Sequence, residues 1–374
     1  MFTDAGLTDY TIQPSGTARE YTAQFNESDL HFATRLMEEE GWFYFFQHSA
    51  SSHELMVVNQ NTAFSDLGAT LNLRGADEDQ QITGWTAPTG TTRGKMTLKD
   101  YDPANPGTQL QDQQPTTLQT GGATQRDDFR WPAHTFDSGT VTNRAKWEME
   151  AAEASVSLYH GSSRYGPLVA GGKFTITSLP SNTYDGTYLL RSVNHSASDD
   201  TWLNQSGTSS YSNSFAAFPS GVNWRQPMTT PRPRMDGIHV GLVLGPSGEE
   251  IYTDDLARVK VQLFWDWRGE TTADLGVWAR VIQPWAGNGW GTQFIPRVGT
   301  EVAVAFVDGD PDRPIVVGGL YNGTQKPIYS QSDKTKSGLR TRSSLNGGTS
   351  DFNELTFDDN DGNELIYLQA QKDL

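Results

Sequence analysis

Cysteine is absent from this 374-residue chain, which removes disulfide staples and thiolate chemistry without deciding the compartment. Long apolar runs are absent too. The longest clean one, Val302 to Val307, is far short of the ~20 residues a helix needs to span a bilayer. The opening Met1-Phe2-Thr3-Asp4-Ala5-Gly6 has no basic stretch followed by an apolar one, so no cleaved signal is expected. The protein is expected to be made in the cytoplasm without stable membrane insertion, and action outside would need a carrier. Basic charge is also scarce: 28 Lys and Arg stand against 45 Asp and Glu, a net charge of −17. The deficit is spread along the chain, with 14 basic against 25 acidic side chains in residues 1–225, 8 against 12 in 226–322 and 6 against 8 in 323–374. No region offers the basic face that phosphate contacts require, so nucleic acid is not an expected partner. Acidity of this kind serves solubility.

Catalytic signatures are missing as well. The seven histidines show no metal-ligand spacing, no serine lies in a G-x-S-x-G turn, and there is no phosphate loop or dinucleotide fingerprint. Asp308, Asp310 and Asp312 are close enough to suggest paired carboxylates, but they sit in a Gly-Pro turn, where Asp serves backbone hydrogen bonding. Aligning Asp358-Asp359-Asn360-Asp361-Gly362 on a calcium loop puts Phe357 first and Leu368 twelfth, where carboxylates are needed. His195, at a strand end, reads as a packing or surface residue. No catalytic, cofactor or metal residue is expected.

What the chain has is aromatic weight: 11 Trp, 13 Tyr and 17 Phe, with a mean hydropathy of −0.57. Large rings anchor several small cores, and disordered chains have few of them. Ser28 caps a helix that Gly41 closes. Its apolar face is expected from Leu30, Ala33 and Met37 with Phe32 and Leu36 alongside, and Glu38-Glu39-Glu40 is expected to be solvated or to meet a partner. Trp42 to Phe46 reads as a strand buried on both faces, returning as a hairpin near Leu55–Val58. A second helix is expected from Val141 to Leu158, on a stripe of Trp147, Ala151, Ala154 and Leu158. Strands follow at Lys173–Thr177 and Tyr188–Val193. Asp102–Gly122 and Pro227–Pro233 read as loops, the latter as a domain boundary.

Beyond it come five short strands, Ile238–Leu244, Ala257–Trp265, Val277–Gln283, Glu301–Val307 and Ile315–Leu320, separated by Gly, Pro and Asp turns. That density suits a small barrel of the OB type. The last section is poorer in apolar residues, with period-two alternation in Phe352–Phe357 and Glu364–Ala370, giving two expected strands.

The most specific string lies in the barrel section. It runs Gln283-Pro284-Trp285-Ala286-Gly287-Asn288-Gly289-Trp290-Gly291, then Pro296-Arg297-Val298-Gly299, then Asp308-Gly309-Asp310-Pro311-Asp312-Arg313-Pro314. It resembles the OB-fold region of VgrG proteins, the spikes of type VI secretion machines, which also resembles the phage tail spike. Trp285, Gly287, Gly289, Trp290, Gly291, Pro296, Arg297, Gly299, Asp310, Pro311, Arg313 and Pro314 carry that match as structural positions. Upstream, Arg35-Leu36-Met37-Glu38-Glu39-Glu40-Gly41 and the aromatics after it look like the family's phage-hub-like domain. Downstream, Thr335–Leu339 and Ile366–Leu374 look like its entry into a triple-stranded β-helix.

The resemblance implies a mainly β protein: a truncated hub-like β-barrel domain with a few helices (residues 1–225), an OB-fold (226–322) and the start of a trimeric β-helix stem (323–374). Ile366, Leu368 and Ala370 would face the trimer interior. It further implies a non-enzymatic homotrimer on the Hcp tube, exported by the contractile machine, with baseplate components and a PAAR-type tip protein or effector as partners. Family members usually carry more hub upstream and a needle beyond the equivalent of Leu374. A contractile-phage baseplate spike and a spike-borne wall hydrolase are the rival readings.

Overall fold

The computed structural model describes residues 1–73, 81–88, 90–119, 122, 125–178, 182–202, 207–268 and 271–373. Leu374 and residues 120 and 121 of the expected loop lie outside that set. The chain divides into two compact units, residues 1–18 with 26–232, and residues 19–25 with 233–374. The division at Arg232/Pro233 falls inside the proline-rich stretch.

The first unit contains β1 (Tyr10–Ile12), α1 (Asp29–Glu39), β2 (Phe43–His48), β3 (His53–Val58), β4 (Ser65–Leu73), β5 (Gln81–Thr86), β6 (Lys95–Asp100), β7 (Leu110–Pro115), β8 (Asp127–Arg130), α2 (Ser138–Val156), β9 (Tyr159–Ser163), β10 (Gly172–Ser178), β11 (Gly186–Asp199) and β12 (Ser209–Pro219). Six of these strands close a barrel in the order β10-β11-β12-β9-β5-β4. The sequence explains its interior: β10 alternates strictly, so Phe174 and Ile176 point inward while Lys173 and Thr175 stay half-buried. They meet Leu71, Leu168, Leu190 and Ala217 in one fully buried cluster, each large side chain stabilising by roughly 1.5–3 kcal/mol. A separate sheet, β7-β6-β8, packs Met96, Leu98 and Leu110 against Val141, Ala145 and Met149 of α2.

Four local expectations change. The Trp42–Phe46 run is buried on one face only: Phe43 and Phe45 pack into a cluster with Phe64, Ala154 and Phe218, while Tyr44 and Phe46, on the other face of β2, are exposed. The Asp102–Gly122 loop contains β7, whose single buried apolar residue, Leu110, leaves a glutamine-rich strand unreadable by composition. α2 is buried on more than one side, since Val141 and Met149 face the small sheet while Ala154 joins the cluster of Phe43, Phe45 and Phe218. Leu158 lies beyond its C-terminus.

The fourth change is in α1. Ser28 caps it, accepting from the His31 amide at 3.2 Å. Gly41 closes it at φ +67°, where a Cβ would lie 2.6 Å from the Trp147 ring. Yet Leu30 is exposed, Leu36 and Met37 are half-buried, and the buried residues are Arg35, Glu38 and Glu39. Arg35 pairs with Glu27 at 2.7 Å and with Glu39 at 3.6 Å. Glu39 also receives Arg232 at 2.6 Å and Arg144 of α2 at 3.6 Å. Glu38 accepts from the Thr229 and Thr230 amides at 3.0 and 2.9 Å. The acidic triplet is therefore largely internal, Glu39 satisfied by arginines and Glu38 by threonine amides, most of them brought from distant sequence.

The second unit contains β13 (His239–Leu244), β14 (Val259–Leu263), β15 (Val277–Val281), β16 (Ala286–Gly287), β17 (Trp290–Gly291), β18 (Glu301–Phe306), β19 (Pro314–Leu320), β20 (Lys336–Arg340), β21 (Glu354–Asp358) and β22 (Leu365–Gln369). Five of them close a barrel in the order β13-β14-β15-β19-β18, with β15 and β19 parallel and the other pairs antiparallel. This is the expected OB-type barrel. Its core is built on Val243, Val259, Val261, Val302, Val304 and Val316. The 19–25 segment docks on it: the Ala23 amide donates to Asp312 at 2.8 Å, and Phe25 packs on His239 and Trp265.

Two predictions follow from these contacts. Glu27→Ala leaves the buried Arg35 guanidinium short of its closest carboxylate, so unfolding free energy should fall by ~3–5 kcal/mol; a loss under 1 kcal/mol in denaturant melts would contradict the network. Burial, reinforced by Asp312 and Asp266 against Arg268, pushes the Tyr21 phenol up to about 12. The folded state keeps that proton longer than the unfolded chain, so the stability it confers is complete below pH ~10 and is lost as pH rises toward 12. The ultraviolet titration difference between native protein and Tyr21→Phe should show one phenol ionising near pH 12, and ionisation near 10 would contradict its burial.

Candidate functional site

Interaction surfaces, rather than a catalytic cleft, are what the second unit offers. Its C-terminal sheet has three antiparallel strands, β20-β21-β22, not two. Register assigns the faces: Leu339 pairs with Leu355 and Leu355 with Leu368, while Ser337 pairs with Phe357 and Phe357 with Ile366. Directly paired residues share a face, so Leu339, Leu355, Phe357, Ile366 and Leu368 form one apolar surface. All five are exposed, Ile366 at 71%. Ala370 lies just past β22 and is half-buried.

On the opposite face β21 is covered by the chain's own residues, while Tyr367 and Leu365 of β22 stay exposed. Glu354 accepts from Tyr329 Oη at 3.0 Å and from Arg340 Nη2 at 2.8 Å, and Thr356 lies 2.7 Å from the same tyrosine hydroxyl. Burial would raise the Glu354 carboxyl pKa, and the hydrogen bonds from Arg340, Thr356 and Tyr329 more than reverse it, leaving it below the ordinary value. Gly338 permits the close approach: a Cβ there would sit 2.2 Å from the Leu355 carbonyl and 2.6 Å from Tyr329 Oη.

The residues of the barrel motif form two structures. β16 and β17 make a two-residue hairpin through Asn288-Gly289, with Gly289 at φ +77°. Trp285 and Trp290 meet edge to face at 5.2 Å and are both exposed. Pro296 and Arg297 follow, where Gly299 turns the chain at φ +81° into β18. Arg297 pairs with Glu250 at 3.4 Å and donates to the Arg342 carbonyl at 2.6 Å, joining the barrel to the stem connection. The second structure is the Asp308–Pro314 turn. Asp310 is buried against Arg313 at 3.4 Å and accepts from the Asp312 amide at 3.0 Å. Pro311 and Pro314 are buried beside them, and Pro314 pairs with Phe306 to begin β19. Asp310 and Asp312 are thus engaged in chain geometry, while Asp308 is exposed at φ +57°.

Elsewhere, among the described residues, no group of three or more His, Asp or Glu is arranged to hold a metal ion. His195 is exposed, with Nδ1 2.6 Å from Tyr211 Oη. A cleft of about 480 Å³ in the first unit is lined by Arg35, Glu38, Glu39, Arg144 and Glu148 among others. Burial raises the Glu148 carboxyl pKa, opposed by Arg130 and Arg93, but those arginines hold it as an ion pair at 2.7 and 3.8 Å. Resemblance placed Thr335–Leu339 in the stem, but periodicity could not put Leu339 on its apolar face, because Lys336–Arg340 contains a single apolar side chain. Leu355 and Phe357 lie in the run whose period-two alternation predicts a strand.

Comparison with known proteins agrees with this layout. Residues 1–201, more than half of the chain, match the model of the phage tail baseplate hub (GPD) family. Residues 249–321 match the type VI secretion system/phage-baseplate injector OB domain, and 337–374 the bacteriophage T4 gp5 C-terminal trimerisation domain. Over its whole length the chain is 34% identical to the actin cross-linking toxin VgrG1 of Vibrio cholerae, covering 35% of that protein. It is 31% identical to the type VI secretion system spike protein VgrG1b of Pseudomonas aeruginosa, covering 52% of it. The chain thus spans about half or less of the length of these relatives. An Escherichia coli type VI secretion component similar to T4 tail proteins superimposes with a TM-score of 0.52 at 20% identity, over 83% of this chain and 65% of that one, which speaks for the fold. Hub barrel, injector barrel and trimerisation segment follow one another in a single chain, and this chain belongs to the VgrG spike family.

Proposed function

We propose that the chain forms the body of a trimeric spike that seats on the end of an Hcp tube and is driven outward when a contractile sheath shortens. The exposed stem face carries this reading. Leu339, Leu355, Phe357, Ile366 and Leu368 lie in register on one side of a three-stranded sheet whose other side is covered over β21 by Tyr329 and Arg340. A single copy leaves that face in water and the sheet edges unpaired, an aggregation hazard that proteins avoid. Three copies about one axis bury the face and pair the edges, and the match to a trimerisation domain over 337–374 supports that number. The work is mechanical and passes through interlocked β-structure.

Export by the machine itself and contact with baseplate components belong to the same reading. So does a cargo, either a PAAR-type tip protein or an effector, carried beyond the stem. The chain is read as a non-enzyme because its matched segments are hub, injector and trimerisation domains. Among the described residues no helix is long and apolar enough to cross a membrane, in keeping with piercing rather than residence. A phage baseplate hub would share the fold, but the relatives named as type VI spikes favour the secretion machine.

Light scattering across a concentration series should show the mass rising toward three chains, and deletion of residues 329–374 should suppress the rise. A monomeric mass at every concentration would refute the spike reading. On a peptidoglycan zymogram the purified protein should leave no cleared band. Clearing abolished by one carboxylate substitution would make the hydrolase reading the better one.

A further inference from the structure

We propose that the Trp285–Trp290 hairpin and the groove at its base form a second contact between copies of this chain, distinct from the stem face; this rests on the trimeric reading above. The hairpin is built rather than incidental. A Cβ on Gly287 would lie 2.2 Å from the Trp290 ring, and one on Gly291, at φ +127°, would lie 2.4 Å from the Trp285 carbonyl. Only glycine at both positions lets the two rings pack and project together. Gln283 locks the base, donating to the Phe294 carbonyl and accepting from its amide, each at 3.0 Å. A rigid aromatic pair, both rings more than half exposed, is the kind of feature that dominates protein interfaces.

Gln283 and Phe294 also line a groove of about 430 Å³ with Ile282, Leu320 and Tyr321. Those four apolar side chains, Phe294 included, are exposed. The groove exists because β15 and β19 pair only at Arg280–Ile315 and Val281–Val316, with one further bond from the Ile282 amide to the Val316 carbonyl. Past that point β15 leaves. Gly318, Gly319 and Leu320 remain paired to β18 on one side, and a Cβ on either glycine would meet nothing within 4 Å. A free strand flank among apolar side chains suits another chain.

The occupant is a second copy because the groove is continuous with the stem. Arg297, on the groove wall, donates to the Arg342 carbonyl in the connection between β20 and β21 of the stem sheet. The chain itself leaves the groove through Tyr321 and Gln325, the latter holding the Gly299 carbonyl. Copies held together at the stem face meet at this groove at high effective concentration. The surface is aromatic, and the charges at its wall are engaged: Arg297 by Glu250, and Glu301 by Asn322 at 2.8 Å.

The chain has no cysteine, so Asn288→Cys offers one attachment point for a photoactivatable benzophenone at the hairpin tip. Illumination should join the tip to a second chain, and mass spectrometry should identify the joined peptide as one from residues 281–325. The Trp285→Ala, Trp290→Ala double variant should raise the concentration of half-trimerisation at least ~10-fold, with an unchanged thermal melt. Should that variant fold poorly, Tyr321→Asp takes its place. Unchanged trimerisation in a folded variant, or cross-links confined to one chain, overturns the proposal while the trimer stands. A native protein that stays monomeric, with Ile366→Glu also without effect, overturns the trimeric reading and this contact with it.

Discussion

One buried carboxylate organises the first unit. Glu39 receives Arg35 from its own helix, Arg144 from the second helix and Arg232 from the chain leaving the unit. Bringing such charges out of water costs several kcal/mol each, and their mutual attraction offsets this only when geometry and hydrogen bonding are good. Here the conditions are met. Arg35 has Glu27 as a close partner, and Arg144 also donates to the backbone carbonyls of Glu39, Ala133 and His134. An apolar core of the same volume could be as stable, but it would tolerate sliding of one helix against the other. Fixed donors and acceptors hold α1, α2 and the chain near Arg232 in one arrangement.

The second unit distributes polarity in the opposite sense. Its barrel core is built mainly on valines, while several large apolar residues stand outside: Trp285, Trp290 and Phe294 on the barrel, and Ile366 and Leu368 on the stem. A monomer built this way is incomplete in the water around it. The glycines at 287, 291 and 338 show that these surfaces are shaped and not left over, since a methyl group at any of them would collide with backbone or ring atoms.

Much of this was legible in the residues. The five barrel strands could be read because Gly, Pro and Asp turns separate short valine-rich runs, and the first helix because Ser28 and Gly41 mark its ends. What failed was the assumption that the buried face of a helix is its apolar face. Arg35, Glu38 and Glu39 are internal through partners near residues 27, 144 and 230, and no local periodicity reports a partner so distant. β7 failed for a related reason: Gln111, Asp112, Gln113 and Gln114 form a strand because β6 offers them a ladder, not because of their own preference. The Trp285–Trp290 string was visible as a motif, but its meaning lay in the groove beneath it, which only the divergence of β15 from β19 creates.

Residues 19–25 belong to the second unit although the chain on either side of them belongs to the first. The polypeptide therefore passes between the units three times, near residues 18, 25 and 232. A protease that nicked the proline-rich stretch would not separate the two halves, because Ala23 and Phe25 would stay seated on Asp312, His239 and Trp265. Under a pulling load, the seated segment adds a noncovalent attachment beside the single covalent connection near residue 232.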